Sequence, residues 1–280
     1  MLDKIKIFAP AKLNLFLKVL SRRADGYHIV RSGITFINLF DEVEIKKSDK
    51  MSISYTGLFK PKGNFYKNCI IRKTLKFLKI DKKLNLNIKI TKNIPTLGGL
   101  GSASTNAAAL IQGLDAMQII NKKKPDCYVN IGADIPCFLF KKNCLVTGIG
   151  EIINLHPFPK YYFLLVKPRS NNSTKEMFNK LDHMFEFLEG FTSKKNIKIT
   201  DGDTGNDFEK IVFKENKEIE NIICFLENLE NVVFSRMTGS GTCCYAVFEK
   251  KEYALKAKNI FKFSFSGLWC CVCENNTFDN

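Results

Sequence analysis

The sequence predicts an α+β fold in two lobes. Strand-like and helix-like stretches alternate along the chain with no repeat of fixed period. Pro157 and Pro159 interrupt it near the middle, which divides it into residues 1–157 and 158–280. Its 280 residues suffice for two domains of ordinary size and can bury roughly three quarters of the unfolded surface.

The elements follow in order. Residues 5–20 are expected to be extended, with Phe8, Leu13, Leu15, Leu17 and Val19 in partial alternation. Ile34–Phe40 and Asp41–Lys47 read as two further strands, the second alternating Val43 and Ile45 with charges. Asn68–Leu78 has the spacing of an amphipathic helix, and Leu84–Ile90 alternates with a period of two. A glycine-rich stretch, Asn93–Ser104, precedes a helix over Thr105–Ile120. Gly132–Phe140 reads as a loop entering an apolar stretch, and Cys144–Gly150 and Tyr161–Val166 as strands. Helices are then expected over Thr174–Phe187, Asn216–Leu229 and Glu252–Phe261, and strands over Val232–Met237, Cys244–Glu249 and Leu268–Cys273.

Apolar residues are 45% and charged residues 25% of the chain, which excludes a disordered tail, a collagen-like fibre and a disulfide-stapled miniprotein. No apolar run approaches the ~18 residues of a membrane span. Asp3, Lys4 and Lys6 break the apolar core a signal peptide would need, so a bacterial cytosol is the expected location. Net charge is +15, carried by 37 Lys and only 6 Arg. Groove readers favour the Arg fork, and these Lys are scattered, so a solvated basic surface is favoured over nucleic-acid binding. The ten Cys lack paired metal spacing and lie far from His28, His156 and His183. They read as small hydrophobes in a reducing compartment, and no resident metal site is expected.

The chemistry concentrates in glycine turns. Six of the seven positions from Gly98 to Ser104 are small, between an expected strand and an expected helix. Gly98, Gly99 and Gly101 let backbone N–H groups approach an anion, and the following helix adds its positive N-terminal end. Ser102, Ser104 and Thr105 offer hydroxyls to phosphate oxygens or hydrated Mg²⁺. The loop lacks the Gly-Lys-Ser/Thr ending of a P-loop, and Ser104 stands where a dinucleotide fingerprint needs Gly. Thr238-Gly-Ser-Gly-Thr242 is a second such turn, and Gly148-Ile-Gly-Glu151 a weaker third.

Pro95, Gly99, Leu100, Gly101 and Ser102 resemble the ATP loop of the GHMP kinases, Pro-x-x-x-Gly-Leu-Gly-Ser-Ser, with Ala103 replacing the second Ser. A more specific likeness, covering residues 5–273, is to the branch that phosphorylates a diphosphocytidyl methylerythritol on the non-mevalonate route to isoprenoids. It is carried by Pro10-Ala-Lys12-Leu-Asn14, Arg23-Ala-Asp25-Gly26-Tyr27-His28, Asn68-Cys-Ile-Ile, Ala107-Ala-Ala, Gly132-Ala-Asp134-Ile-Pro136, Asn206-Asp-Phe-Glu209 and Thr238-Gly-Ser-Gly241. The loop departs from the branch at Leu97, Ser102 and Ala103, whose side chains are expected to narrow the cradle.

The resemblance implies a ribosomal S5 domain 2-like first lobe with a left-handed βαβ unit, then a ferredoxin-like lobe. It implies ATP and Mg²⁺ as cofactors, and transfer of the γ-phosphoryl group to an alcohol. Asp134 matches the base, with a helix N-cap as its plainer role, and Lys12 matches the cation that favours alkoxide character. Pro95, Gly98, Gly99, Leu100, Gly101, Ser102, Ala103, Ser104, Thr105 and Asn68 are the implied nucleotide contacts, with Lys92 near them. Tyr27 and Phe178 are the implied stacking faces for cytosine, and His28, expected exposed in its turn, serves the base edge. Asn14, Thr174, Gly239 and Gly241 are the remaining implied substrate contacts, while Gly150 and Glu151 read as structural. A monomer or homodimer without nucleic acid or membrane partners is expected. Still open at this point are a GHMP kinase for homoserine or a mevalonate derivative, an inactive kinase, and a non-catalytic S5-like RNA-binding protein.

Overall fold

The computed structural model describes residues 2–61, 69–80, 84–171, 176–181 and 205–275. Two long antiparallel strands, β1 (Lys4–Arg22) and β2 (His28–Lys47), organise the first lobe. The expected strands Ile34–Phe40 and Asp41–Lys47 are one strand, beginning at His28. Asp41 suggested a break, but its carboxylate is partnered inside the protein and the strand runs through it. The other edge of β2 pairs with β4 (Leu86–Thr91) at one end and with β5 (Cys144–Gly148) at the other. β3 (Ser52–Thr56) runs parallel to β4, and β6 (Ile152–Leu155) closes the sheet beside β5. Both are short, and the sequence reading passed over them.

Among the described residues three α-helices back this sheet. α1 (Ile70–Phe77) lies between β3 and β4 in the chain and turns Ile71, Thr74 and Leu75 inward. α2 (Ser102–Ala116) is the helix after the glycine-rich stretch, buried along most of its length. α3 (Ile135–Phe140) occupies the stretch read as a loop: Asp134 precedes it and Pro136 stands in its first turn, where a missing N–H costs nothing.

The second lobe has sheet order β10-β7-β9-β8, with β7 at Tyr162–Lys167, β8 at Phe234–Met237, β9 at Cys244–Phe248 and β10 at Trp269–Glu274. All its pairs are antiparallel. Numbered within the lobe this is 4-1-3-2, the ferredoxin-like arrangement. α4 (Glu209–Glu215), α5 (Lys217–Glu227) and α6 (Lys251–Ser264) supply its apolar cover, together with Met177 and Leu181 from a helical stretch at 176–181. The rest of the helix expected over Thr174–Phe187 lies outside the described residues.

The lobes share a core. Ala11, Leu13 and Leu15 of β1 pack with Phe163, Leu165, Tyr245 and Val247 of the second sheet. The two glycine turns also interlock. A Cβ on Gly99 would sit 1.9 Å from the Thr238 carbonyl oxygen, and one on Gly241 would sit 2.0 Å from Gly99 N. The Cys243 N–H donates to the Gly98 carbonyl at 3.1 Å.

This contact is backbone against backbone and has no flexible end to yield. Gly241→Ala is expected to cost about 3 kcal/mol or more in urea unfolding, at the upper end of overpacking effects. Gly26→Ala, at φ +86° with open space around it, is expected to lose only ~1–2 kcal/mol through its left-handed backbone.

Candidate active site

Between the lobes lies a cavity of about 910 Å³, lined by the glycine-rich stretch, the centre of β1, the 133–134 turn and the Gly239–Ser240 turn. β1 brings Lys12 and Asn14 into it, while Ala11, Leu13 and Leu15 join the shared core. The Lys12 ammonium donates to Asn14 Oδ1 and stands 4.0 Å from Asp134 Oδ2. Its side chain is 5% exposed and that of Asp134 42%, so a buried cation meets a carboxylate open to the cavity. The two residues, far apart in sequence, come together as expected.

Gly101 makes this meeting possible. It is the N-cap of α2 at φ +70°, and a Cβ there would enter the Phe138 ring at 2.4 Å. Its bare backbone admits Phe138, which draws α3 and the preceding Asp134 against the start of α2. On the far side Gly150 lies against Ala133, where a Cβ would meet the Ala133 carbonyl oxygen at 2.6 Å. Glu151 accepts the Ile149 N–H at 2.6 Å and closes that turn on itself, while Gly150, read as structural, also lines the cavity.

The glycine-rich stretch has a consistent polarity. The Gly98 carbonyl accepts from Cys243, the Leu100 carbonyl from Lys12 N at 3.2 Å, and the Gly101 carbonyl from Thr105 N at 2.9 Å. Among the described residues no acceptor faces the N–H groups of Gly98 through Ser104. Carbonyls directed into protein and N–H groups left free make an anion cradle at a helix N-terminus.

Beneath the cradle is a cluster that sequence reading largely missed. Asp41 Oδ1 accepts the N–H groups of Asn93 and Ile94 at 2.7 and 2.8 Å. Its Oδ2 accepts from the Lys92 ammonium, from Asn106 Nδ2 at 2.9 Å and from Ser102 Oγ at 3.2 Å. Lys92 also donates to Ser102 Oγ and to Asn106 Oδ1 at 2.7 Å. Burial pushes the Lys92 ammonium below its ordinary range, against the opposing pull of Asp41.

The cluster revises two expectations. Ser102 turns its hydroxyl into it and does not narrow the cradle. Thr105 is buried, its hydroxyl has no partner among the described residues, and it does not line the cavity. Pro95, Gly98, Gly99, Leu100, Gly101, Ser102, Ala103 and Ser104 do line it. Leu97 lines it too, 61% exposed at φ +55°.

The aromatic corner is formed at the other end. Tyr27 is 53% exposed, and the His28 ring lies 4.8 Å from that of Phe178 at a 31° tilt. Phe178 in turn meets Phe208 edge-on. His28 is 8% exposed, contrary to the expectation of an exposed turn residue, because β2 starts there and Phe178 covers the ring. Gly239 lines the cavity, whereas Gly241 packs under Gly98 and Gly99. Asn68 and Thr174 lie outside the described residues. Asn206 donates to the carbonyls of Met237 and Gly239 at 2.9 and 2.7 Å, so the Asn206–Glu209 motif holds the second glycine turn.

Similarity to known proteins agrees with this geometry. The GHMP kinases N terminal domain matches residues 67–142 and GHMP kinases C terminal matches 194–267. A 4-diphosphocytidyl-2-C-methyl-D-erythritol kinase of the Wolbachia of Brugia malayi is 31% identical over 94% of this chain and 96% of its own. One from Ehrlichia canis is 33% identical over 89% and 91%. The chain belongs to the 4-diphosphocytidyl-2-C-methyl-D-erythritol kinase family. A crystal structure of a 4-(cytidine 5'-diphospho)-2C-methyl-D-erythritol kinase shares the fold, with TM-score 0.74 at 20% identity over 96% of this chain and 99% of that one.

A kinase of this family uses ATP. Among the described residues no group of three His, Cys, Asp or Glu could hold a metal, and no helix there is long and apolar enough to cross a membrane. Burial pushes the Cys144 and Cys243 thiols up to about 12, which makes them poor nucleophiles.

Lys92→Met would leave the Asp41 carboxylate buried without its cation. The expected loss is ~3–5 kcal/mol in urea unfolding. A loss under ~1 kcal/mol would mean that the cluster does not anchor the loop.

Proposed function

We propose that the protein transfers the γ-phosphoryl group of ATP to the 2-hydroxyl of 4-diphosphocytidyl-2-C-methyl-D-erythritol, a step toward isoprenoid precursors. The observation that carries this reading is the Lys12–Asp134 pair, 4.0 Å apart beside a cradle of free N–H groups. An alcohol is a weak nucleophile, and the open carboxylate of Asp134 accepts its proton as the new P–O bond forms and the bond from the γ-phosphorus to the β-phosphate oxygen breaks, with ADP leaving. The Lys12 ammonium, held by Asn14, faces the negative charge that gathers on the attacking oxygen and the phosphoryl group. The N–H groups of Gly98 through Ser104 bind the phosphates and orient the γ-phosphoryl group. Transfer then rests on placement and charge stabilisation.

The acceptor's cytosine is assigned to the Tyr27, His28 and Phe178 corner. Tyr27 offers an exposed ring face, and Phe178 is fixed from behind by Phe208. Stacking of this kind contributes ~1–3 kcal/mol per base. No corresponding role for an aromatic corner follows from homoserine or mevalonate, which carry no ring to stack. Asn68 and Thr174 are proposed for the nucleotide and acceptor sides on the resemblance alone.

The residues present fit Mg²⁺ bound mainly by phosphate oxygens and water, the usual manner in kinase sites. Ser102 is a poor ligand because its hydroxyl is engaged by Lys92 and Asp41. Ser104 lines the cavity, its Oγ 3.4 Å from where a side chain on Gly132 would begin, and the Asp134 carboxylate is open nearby. Ser104 would hold the ion, leaving the Asp134 carboxylate free as the base. When bound, the ion neutralises phosphate charge.

ADP release from ATP and Mg²⁺ is expected only with the diphosphocytidyl acceptor. Equal release with homoserine or mevalonate would overturn the substrate assignment. Asp134→Asn is expected to lower kcat by ~10²–10⁴-fold with the KM for ATP unchanged, the range for a lost general base. Retained turnover would remove that role. Tyr27→Ala is expected to lower kcat/KM for the acceptor by ~5–150-fold while ATP use is spared. Equal losses for both substrates would argue against pyrimidine stacking.

A further inference from the structure

Lys12 is held by the side-chain oxygen of Asn14, and an amide can present either its oxygen or its NH₂. The structure shows what decides between them. Ser32 Oγ donates its only proton to the Phe16 carbonyl at 2.6 Å. It therefore offers only lone pairs to Asn14, whose Nδ2 lies 2.7 Å away. The NH₂ must face Ser32, so Oδ1 must face the Lys12 ammonium.

The rest of Asn14 is fixed. Its N–H donates to Thr238 Oγ1 at 3.1 Å, and its carbonyl accepts from the Tyr245 hydroxyl at 2.8 Å. With the backbone pinned, side-chain rotation is the main freedom left, and Thr238 Oγ1, 3.4 Å from Asn14 Oδ1, is a second and longer donor to that oxygen. Ser32 lines the cavity but is 2% exposed.

We infer that Ser32 is a positioning residue for phosphoryl transfer: it sets the polarity of the Asn14 amide, which holds the Lys12 ammonium beside Asp134. This rests on the roles proposed above for Lys12 and Asp134. Ser32→Ala leaves a buried NH₂ without an acceptor, and the amide and ammonium shift to relieve it. Displacements of about an ångström at a reacting centre can cost ~10²-fold in rate. The nucleotide cradle, built from other residues, is untouched.

The test is steady-state kinetics of the wild type, Ser32→Ala, Asn14→Ala and the double variant, with thermal melting of each. Ser32→Ala is expected to lower kcat ~10–100-fold, with the KM for ATP within about twofold of wild type. On the Asn14→Ala background the same change is expected to cost nothing more, since no amide remains to orient. A wild type without acceptor-dependent turnover would overturn the kinase reading and this inference with it. An active wild type with unchanged kcat in Ser32→Ala, or full additivity in the double variant, overturns this inference alone. If Ser32→Ala fails to fold, Ser32→Cys takes its place, filling the site with a weaker acceptor. Loss of kcat at unchanged Tm then supports the inference, and unchanged kcat overturns it.

Discussion

One carboxylate holds both ends of the glycine-rich stretch. Asp41 accepts the N–H groups of Asn93 and Ile94 where the stretch begins, and bonds Ser102 and Asn106 where it becomes α2. The loop between them lacks the ladder bonds of a strand or helix, and its glycines have the most conformational freedom to lose on ordering. Anchoring both ends to a single buried group from β2 removes much of that freedom. Lys92 neutralises the carboxylate and adds donors to Ser102 and Asn106. Without it the same cluster would be an uncompensated buried charge, which is far more costly than a paired one. The free N–H groups of the cradle are thus pre-set by bonds made on the other side of the backbone.

The glycines divide between two tasks. Gly99 and Gly241 are small because two turns from different lobes touch there, while Gly101 is small because Phe138 must pass. None of these constraints requires a ligand, yet together they shape a ligand site. The interlock fixes the lobes relative to each other, and Phe138 brings Asp134 to Lys12. Anchoring also accounts for a left-handed Leu97, a conformation that costs ~1–2 kcal/mol and survives only where its surroundings over-determine it.

Much of this was legible in the chain, and the omissions have physical causes. The pairing of Lys12 with Asp134 followed from the resemblance, and the alternation of Leu84–Ile90 showed its strand directly. The Asp41–Lys92 pair was legible in principle. Asp41 shares the inward parity of Val43 and Ile45, and Lys92 that of Ile88 and Ile90. Two opposite charges on the inward faces of paired strands call for each other. Reading Asp41 as the start of a new strand hid this. Ser32 gave no local signal, and Thr238 stood out only as the first residue of its glycine turn, because their roles are hydrogen bonds to a residue that only the fold brings near. His28 was misjudged because a turn motif says where the chain bends and not what later covers it. β3 and β6 were lost because both are short, and β6 is largely exposed.

The centre of β1 shows why chemistry and core can share one strand. Successive side chains point to opposite faces, so Ala11, Leu13 and Leu15 enter the core joining the lobes while Lys12 and Asn14 enter the cavity. Register irregularities fall at Pro10/Ala11 and Asn14/Phe16 and bracket this segment. A slip by one residue would send the ammonium into an apolar core and Leu13 into the site, so a single error would destroy packing and chemistry together. Three features oppose it: the Lys12 N–H bond to Leu100, the Tyr245 hydroxyl on the Asn14 carbonyl, and Thr238 beneath the Asn14 N–H. They come from the glycine-rich stretch and the second lobe. The strand that carries the cation is therefore held in register by both walls of the cavity it faces, and the alignment of Lys12 depends on the lobes being closed on each other.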